Sequence, residues 1–426
     1  MVLYRTIALS FLCLTLLIPF YSKVIKSKSN YRILLLMIPL MIGFDLLDTR
    51  DEIAIIIGIP LFFLTFLTFG LIIIPLLYLF LQLFKINSLE VKPIIHFPIL
   101  YSEKVYLILL ILMGLGFRIS LWATFHNFNV NEPEAIMSSL YLLDGRNPYE
   151  FEGSQRGPLE YLLLAPFVFL IDQMNLHSNI SEVALVTLCE GLNTIFIFLL
   201  GSKLYNKQVG IIASYLYIIH PLIITIDYRI YDDPIAVCFF FAGIYLYFKE
   251  RYMSSAVFVG LSFGCKFFSI LCVPLLAFAL LKTKNKKTSI IFVSLFFITT
   301  LSIYLPFILW DVQLFLSRVV YYQITRVGDA SGRYLYHSIG IHSPLIIGFL
   351  FLAFFLSSYI LVLQMNNDFD EKVLLSKVVV IMAIFFLSFP IYNLNYFLWF
   401  IPLLILQIVS FQNVFMKYYL SKSTRR

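Results

Sequence analysis

The chain has 426 residues, of which 61% are hydrophobic and only 13% are charged, with a formal net charge of +7 at pH 7. A soluble globular domain is close to half apolar and a quarter charged, so this composition excludes an ordinary soluble enzyme and predicts an integral membrane protein. The positive charge indicates basic cytoplasmic loops that orient membrane helices, and it does not require a nucleic-acid partner.

Apolar runs long enough to cross a bilayer recur along nearly the whole chain. Residues 1–20 lack the small-residue cleavage site of a signal peptide, so we interpret them as a first transmembrane helix. The run at 53–84 is too long for one upright helix. The pattern predicts an all-α polytopic integral membrane protein with about 11–13 transmembrane helices and short juxtamembrane helices in its first outer loop. The predicted spans are residues 4–20, 31–47, 53–84, 104–125, 183–201, 209–226, 234–248, 288–310, 339–364, 377–389 and 396–411.

Two apolar segments do not fit a simple crossing. Residues 158–171 are short for a bilayer span, and residues 255–281 are interrupted by Lys266 and Pro274. The second segment is either one kinked helix or two half-helices. Placing the Lys and Arg clusters in the cytoplasm keeps the first segment on the outer side and makes the second begin and end inside. The loops near 126–182, 227–233, 311–338 and 390–395 then share the outer face.

Acidic pairs stand at two helix starts on this predicted outer face. Glu132 and Glu134 flank Pro133 ahead of an amphipathic stretch, and Asp232 with Asp233 precedes another apolar run. One interpretation is that all four are ordinary helix-start acids, which the positive end of a helix favours. Paired carboxylates can also divide base and orienting roles, or bind a divalent cation. Their common face favours a shared site.

Cationic side chains occur in one apolar segment and one outer loop. Lys266 interrupts a membrane segment, where a charged side chain is costly and usually functional. Arg326 and Arg333 flank a Gly-Asp-Ala-Ser-Gly turn. Arginine recognises phosphate through two parallel hydrogen bonds, although both arginines could equally be solvated residues of a loop.

Aromatic and amide side chains crowd the entrance of the last predicted span. Tyr396 and Trp399 fit the aromatic belt of a membrane interface, but the belt does not explain Asn395 between the aromatic residues. The five cysteines lie inside apolar runs without zinc-site or CxxC spacing, so we interpret them as small apolar core residues.

Residues 116–149, GFRISLWATFHNFNVNEPEAIMSSLYLLDGRNPY, resemble the first helix and first outer loop of GT-C glycosyltransferases. The resemblance is to mannosyltransferase-like and protein-O-mannosyltransferase-like enzymes that use polyprenyl-phosphate sugars. In that family an acidic pair precedes a Leu-Leu-x-Gly-x-x-Pro-Tyr signature, which residues 142–149 match. The family spacing aligns the acidic pair with Asn131 and Glu132. Glu132 is therefore the matched acid, Asn131 replaces the usual aspartate, and Glu134 is a nearby substitute.

Further segments resemble the same family in the same order, over about residues 104–411. Gly157–Tyr161 resembles its proline-containing outer helix, and Arg229–Pro234 resembles the acid that precedes a later helix. Gly260–Lys266 is similar to its glycine-rich helix with a lysine. Asn395–Trp399 is similar to the Gln-Tyr-Phe-Leu-Trp motif of first mannosyltransferases in GPI-anchor synthesis.

The resemblance implies a hexosyltransferase module at residues 101–426, with residues 1–100 as added transmembrane helices of unassigned function. It implies transfer of a hexose such as mannose from a polyprenyl-phosphate carrier to a lipid, glycan or protein acceptor on the outer face of the membrane. The usage of Ile, Lys, Asn, Phe and Tyr indicates an AT-rich prokaryotic genome, which predicts the plasma membrane. Divalent-metal dependence stays undecided. The implied catalytic acids are Glu132, Glu134, Asp232 and Asp233. The implied substrate-binding residues are Lys266, Arg326 and Arg333 for the phosphate, Tyr396 and Trp399 for the lipid tail, and Asn395.

Transport is the competing hypothesis, in the form of a lipid-linked sugar flippase or another polytopic transporter. The broken segment 255–281 and Glu190 put charge inside the membrane, as in transporters. The lack of a detectable internal repeat and the concentration of charge in loops of one face favour the enzyme. A glycan ligase, which moves a whole oligosaccharide, is a third alternative that counting the transferred sugars would separate.

Overall fold

The computed structural model describes residues 134–220, 232–322, 344–364, 369–388 and 394–410, together with isolated positions at 108–115 and 223. The predictions for residues 1–100, Glu132, Arg326 and Arg333 lie outside these residues. Within them every regular element is a helix and no strand occurs, which confirms the all-α class.

Helices follow one another through short connections. In chain order they are α1 (Glu134–Leu143), α2 (Pro158–Gln173), α3 (Asn179–Leu204), α4 (Lys207–Ile219), α5 (Asp233–Phe248), α6 (Tyr252–Cys265), α7 (Val273–Thr283), α8 (Lys286–Trp310), α9 (Val312–Phe315), α10 (Pro344–Gln364), α11 (Glu371–Ser388) and α12 (Ile401–Ser410). Short 3-10 helices cover Pro148–Glu150, Phe267–Cys272 and Leu394–Trp399, and a π-helical turn covers Leu316–Tyr321.

Local sequence signals determine where these helices begin. Pro158 and Pro234 occupy the first turns of α2 and α5, where a missing backbone N–H costs nothing. The side chains of Asn206, Asn285 and Asp311 each accept a backbone N–H three residues further along the chain, at the starts of α4, α8 and α9.

Among the residues that the structure describes, two helices, α3 and α8, are long and apolar enough to cross a membrane. Only 17% of the 18-residue apolar stretch in α8 is buried. The side chains of Phe297, Ile298 and Leu309 are 54%, 62% and 72% exposed. A core helix of a soluble protein would bury this surface, whereas contact with lipid requires it to face outward. The α8 surface therefore fits a membrane protein, while the total of 11–13 spans stays a prediction.

The apolar segment predicted at 255–281 is two helices joined by a break. Lys266 has an extended backbone (φ −144°, ψ 137°), and it separates α6 from the 3-10 turn that leads into α7. Lys284, beyond α7, forms an ion pair of 3.0 Å with Glu250, ahead of α6. The two ends of the segment therefore lie together, as the prediction that it begins and ends on one side requires.

Antiparallel packing of α5 and α6 brings this break to the start of α5. Ser255 Oγ donates to the carbonyl of Gly243 at 2.7 Å, and Ser262 Oγ donates to the carbonyl of Ala236 at 2.8 Å. The two bonds are seven residues apart on both helices, so the register is the same along the contact. Lys266 thereby comes level with the first residues of α5.

An aromatic cluster holds the 3-10 helix at 394–399 against the same break. The ring of Phe268 packs edge-on against Tyr396, Trp399 and Phe386, with centroids 4.9, 5.5 and 4.8 Å away. Tyr396 is 7% exposed and Trp399 is fully buried. The segment predicted at a membrane entrance is therefore packed into the protein.

The cysteine prediction is confirmed for the four cysteines that the structure describes. Cys189, Cys238, Cys265 and Cys272 are all free thiols buried in the apolar core. Cys13 lies outside the described residues.

Candidate active site

Six charged side chains meet where the starts of α2, α3 and α5 approach the break after α6. We call them the charged cluster; they are Arg156, Glu160, Glu182, Asp232, Asp233 and Lys266. The four carboxylates are at most 4% exposed, while the two cations keep 16–23% of their side-chain surface. The cations therefore lie toward the accessible side of the acids.

Lys266 bridges the two adjacent aspartates. Its Nζ donates to Oδ1 of Asp232 at 2.7 Å and to Oδ2 of Asp233 at 2.5 Å. The helix break makes this possible, because the extended backbone of Lys266 directs the chain away from α6 beside the N-terminus of α5. A buried lysine is tolerated when it is paired in this way.

Asp233 receives two further hydrogen bonds from the 3-10 helix at 394–399. Trp399 Nε1 donates to Oδ1 of Asp233 at 2.9 Å. Asn395 Nδ2 donates to Oδ2, the oxygen that also accepts from Lys266. Both oxygens of this fully buried carboxylate are therefore occupied by protein donors.

Arg156 joins three carboxylates from three helices. Its Nη1 lies 2.5 Å from Glu160 Oε1, 3.5 Å from Glu182 Oε1 and 3.1 Å from Asp232 Oδ2. These acids begin α2, α3 and α5 respectively, so one guanidinium ties the three helix starts together.

The backbone around Arg156 is fixed before its side chain reaches the acids. The hydroxyl of Tyr149 donates to the Arg156 carbonyl, and the Arg156 N–H donates to the hydroxyl of Tyr161, both at 3.0 Å. Both tyrosines are fully buried. Tyr149 ends the Leu-Leu-x-Gly-x-x-Pro-Tyr signature, which gives that motif a structural role in this chain.

Gly157 docks this loop directly on the C-terminal end of α6. Its N–H donates to the carbonyl of Cys265 at 3.0 Å. A Cβ atom at Gly157 would lie 2.1 Å from the carbonyl oxygen of Gly264, so no side chain fits there. The loop and the helix break therefore meet backbone to backbone.

Glu160 and Asp232, the two acids nearest to Arg156, have pKa values shifted in opposite directions. Burial, reinforced by the charge of Asp232, raises the pKa of Glu160 well above its usual range. Burial alone would also raise the pKa of Asp232, but Arg156 and Lys266 outweigh it and lower that pKa. Oε2 of Glu160 and Oδ2 of Asp232 are both buried without another hydrogen-bond partner, so a proton on Glu160 can be donated to Asp232.

This arrangement gives Asp232 a definite chemistry. It is an ionised carboxylate between two cations, and a second lone pair on Oδ2 stays available after a bond from Glu160. A carboxylate with a lowered pKa is a poor general base near neutral pH. Asp232 is therefore suited to stay ionised and accept hydrogen bonds, and not to take up a proton.

Five of the residues predicted from sequence come together here: Asp232, Asp233, Lys266, Asn395 and Trp399. Glu134 begins α1, is exposed, and lies beside Gly153. Within the described part of the chain no ion pair joins the Glu134 side chain to Arg156 or Lys266. The burial of Tyr396 and Trp399 sets both rings against protein, so their assignment to a lipid tail stays a prediction.

Three members of the cluster were not predicted from sequence: Arg156, Glu160 and Glu182. Glu160 and Glu182 look like ordinary acids in the first turns of α2 and α3. The available signal was the Arg156–Glu160 spacing of four residues across Gly157 and Pro158, in front of an apolar helix.

A metal ion finds no ready ligand set among the residues that the structure describes, where no group of three or more His, Cys, Asp or Glu side chains could hold one. In the charged cluster, Arg156 and Lys266 contact the carboxylates instead. The divalent-cation hypothesis for Asp232 and Asp233 stays a prediction.

These features define a helical protein of membrane type with a buried charged site at the ends of its helices. The sequence model of a family described as ALG3 protein matches residues 139–327, less than half of the chain. The matched range contains all six residues of the charged cluster. No curated protein gives a significant match to the chain.

ALG3 proteins are mannosyltransferases that use a lipid-linked sugar donor and a lipid-linked glycan acceptor. The match supports a membrane glycosyltransferase of this kind. It does not extend to the resemblance with protein-O-mannosyltransferases. Because ALG3 proteins typically lie in the ER membrane, the match supports a membrane location without supporting the plasma membrane or a sidedness.

Proposed function

We propose that the protein transfers a hexose, mannose in the first instance, from a polyprenyl-phosphate carrier to a lipid-linked glycan on the outer face of a prokaryotic plasma membrane. The observation that carries the proposal is the overlap of the ALG3 match with the whole charged cluster. In the reaction, an acceptor hydroxyl oxygen bonds to the anomeric carbon. The bond from that carbon to the phosphate oxygen breaks, and the phosphate leaves on its lipid.

The acceptor hydroxyl must lose a proton, and we assign that step to Glu132. The assignment comes from the family spacing, because Glu132 lies outside the described residues. The lowered pKa of Asp232 makes it a poor base, so it supports the assignment of the base to another acid. We propose that Asp232 holds the hydroxyl instead. Glu134 is the neighbouring acid, and its substitution is the control for substitution of Glu132.

The leaving phosphate needs cations where negative charge develops. The sequence predicts this role for Lys266 too, but because Lys266 pairs with Asp232 and Asp233 we propose that it holds the acids. We therefore propose that Arg326 and Arg333 neutralise the phosphate, because arginine can form two parallel hydrogen bonds to it.

Membranes that contain the protein would be given labelled polyprenyl-phosphate mannose and lipid-linked oligosaccharide acceptors. We expect a product that is one hexose longer, and loss of product in Glu132→Gln with retention in the control Glu134→Gln. Full transfer by Glu132→Gln would remove the base assignment. No transfer by the wild type from any polyprenyl-phosphate hexose would contradict the function itself.

The broken segment from α6 to α7 keeps transport as a second candidate function, because charge at a helix break is common in transporters. Sealed vesicles loaded with the labelled lipid-linked sugar separate the two. A flippase would change the leaflet of the label without adding sugar to any acceptor, whereas the transferase would lengthen the acceptor.

A further inference from the structure

We propose that Asp233 is a positioning residue: Asn395 and Trp399 hold it, and it in turn holds Lys266 against Asp232. The inference rests on the proposed function and separates two adjacent aspartates that the sequence left equivalent. It gives Asn395 and Trp399 a role inside the protein in place of the substrate-binding role predicted for them.

The carboxylate of Asp233 is saturated with hydrogen-bond donors from the protein. Asp233 is fully buried, and both oxygens accept hydrogen bonds, from Trp399 on Oδ1 and from Asn395 and Lys266 on Oδ2. A carboxylate in this state has little capacity left for a substrate hydroxyl. Asp232 differs, because its Oδ2 accepts no hydrogen bond from Arg156 although the two atoms are 3.1 Å apart.

The two side chains that donate from the 3-10 helix are held by packing. The indole of Trp399 packs against Phe240 and Phe268, with ring centroids 5.6 and 5.5 Å away. Asn395 lies on the same short 3-10 helix and is 4% exposed. Two donors on a packed element fix the carboxylate of Asp233 in one orientation, and this orientation sets the position of Lys266 Nζ.

The consequence reaches the substrate through Lys266 and Asp232. Lys266 Nζ lies 2.5 Å from Asp233 and 2.7 Å from Asp232. If Asp233 no longer fixes the ammonium group, we expect the ion pair between Lys266 and Asp232 to weaken as well. Asp232 would then lose its orientation toward the acceptor. We therefore expect the kinetic effect in the KM for the acceptor, whereas a residue that touches the donor lipid would change the KM for the donor.

Trp399→Phe is the test variant, because it removes the indole N–H and keeps an aromatic ring. We expect the acceptor KM to rise by about tenfold, the effect of losing one hydrogen bond to a charged group, with the donor KM unchanged. Asp233→Asn should show the same split, and adding Trp399→Phe to it should have little further effect. Trp310→Phe is the matched control, because Trp310 is 48% exposed at the end of α8.

A second measurement does not depend on turnover. An amine-reactive reagent and mass spectrometry would report the labelling of Lys266, which we expect to be low in the wild type and to rise in Trp399→Phe and Asp233→Asn but not in Trp310→Phe. Unchanged labelling of Lys266 in both variants would overturn the positioning role, even if no transferase activity were found. A rise in donor KM for Trp399→Phe, or full additivity with Asp233→Asn, would overturn it as well.

Discussion

Gly157→Ala is the substitution that best tests how the outer loop is attached to the charged cluster. Gly157 has φ −67° and ψ 143°, which alanine adopts without strain, so the effect must come from space alone. The new Cβ would lie 2.1 Å from Gly264 O and 2.5 Å from Cys265 O. To reach ordinary contact, the loop and the end of α6 must separate by more than about 1 Å.

This separation breaks the 3.0 Å bond from the Gly157 N–H to Cys265 and moves the neighbouring Arg156 away from its acids. A lost backbone bond costs about 0.5–1.5 kcal/mol and overpacking about 1–3 kcal/mol, so we expect a loss of about 2–4 kcal/mol in stability. A shift of this size near a reaction centre can also reduce turnover by about a hundredfold.

Thermal unfolding in detergent and hexose transfer in membranes would measure the two effects. Gly348→Ala is the control, because a Cβ at Gly348 meets nothing within 4 Å. If Gly157→Ala unfolded at the wild-type temperature and transferred at the wild-type rate, the backbone contact between the loop and α6 would not exist in the protein.

Four further substitutions test the cluster through pH-dependent unfolding and transfer assays. Glu160→Gln should match wild type below the unfolded-state pKa of 4.5 and exceed its stability by a growing margin as pH rises toward neutral, because the raised pKa of Glu160 means that wild-type stability is lost over this range; equal stability of the two proteins at neutral pH would refute a raised pKa of Glu160. Asp232→Asn should cost about 3–5 kcal/mol at neutral pH, shrinking in acid as the wild-type carboxylate protonates. Arg156→Gln should be severely destabilising. Arg146→Gln is the control, because the side chains of the Arg146–Glu150 ion pair are 51% and 44% exposed and its loss should change stability by less than about 1 kcal/mol. Equal losses of stability in the two variants would count against a buried role for Arg156. Tyr149→Phe should lose about 0.5–1.5 kcal/mol with its bond to Arg156, and an unchanged unfolding midpoint would contradict that bond.

Local signals in the sequence were sufficient for much of this fold. Pro158 and Pro234 marked helix starts, and the interruption at Lys266 marked a helix break. Proline and a charge in an apolar run affect the backbone of the segment that contains them, so these features can be predicted locally. The pairing of Asp232 and Asp233 with Lys266 could be suspected, since charges in apolar surroundings need partners.

The remaining contacts depend on tertiary packing that no local pattern encodes. In the sequence, Glu182 and Glu160 look like any acid in the first turn of a helix. They form ion pairs with Arg156 because α2, α3 and α5 pack together. Trp399 fitted an interfacial belt equally well, because burial of its indole depends on Phe268 from a distant segment.

The length of α6 has a consequence for the charges at its C-terminal end. Its 14 residues rise about 21 Å, while the hydrocarbon layer of a bilayer is about 30 Å thick. If α6 stands along the membrane normal with Tyr252 at one boundary, Lys266 stops about 9 Å below the other. Little water reaches a charge at that depth, so each charge there needs a partner from the protein. The ion pairs of Lys266 with Asp232 and Asp233 supply such partners where the helix stops short.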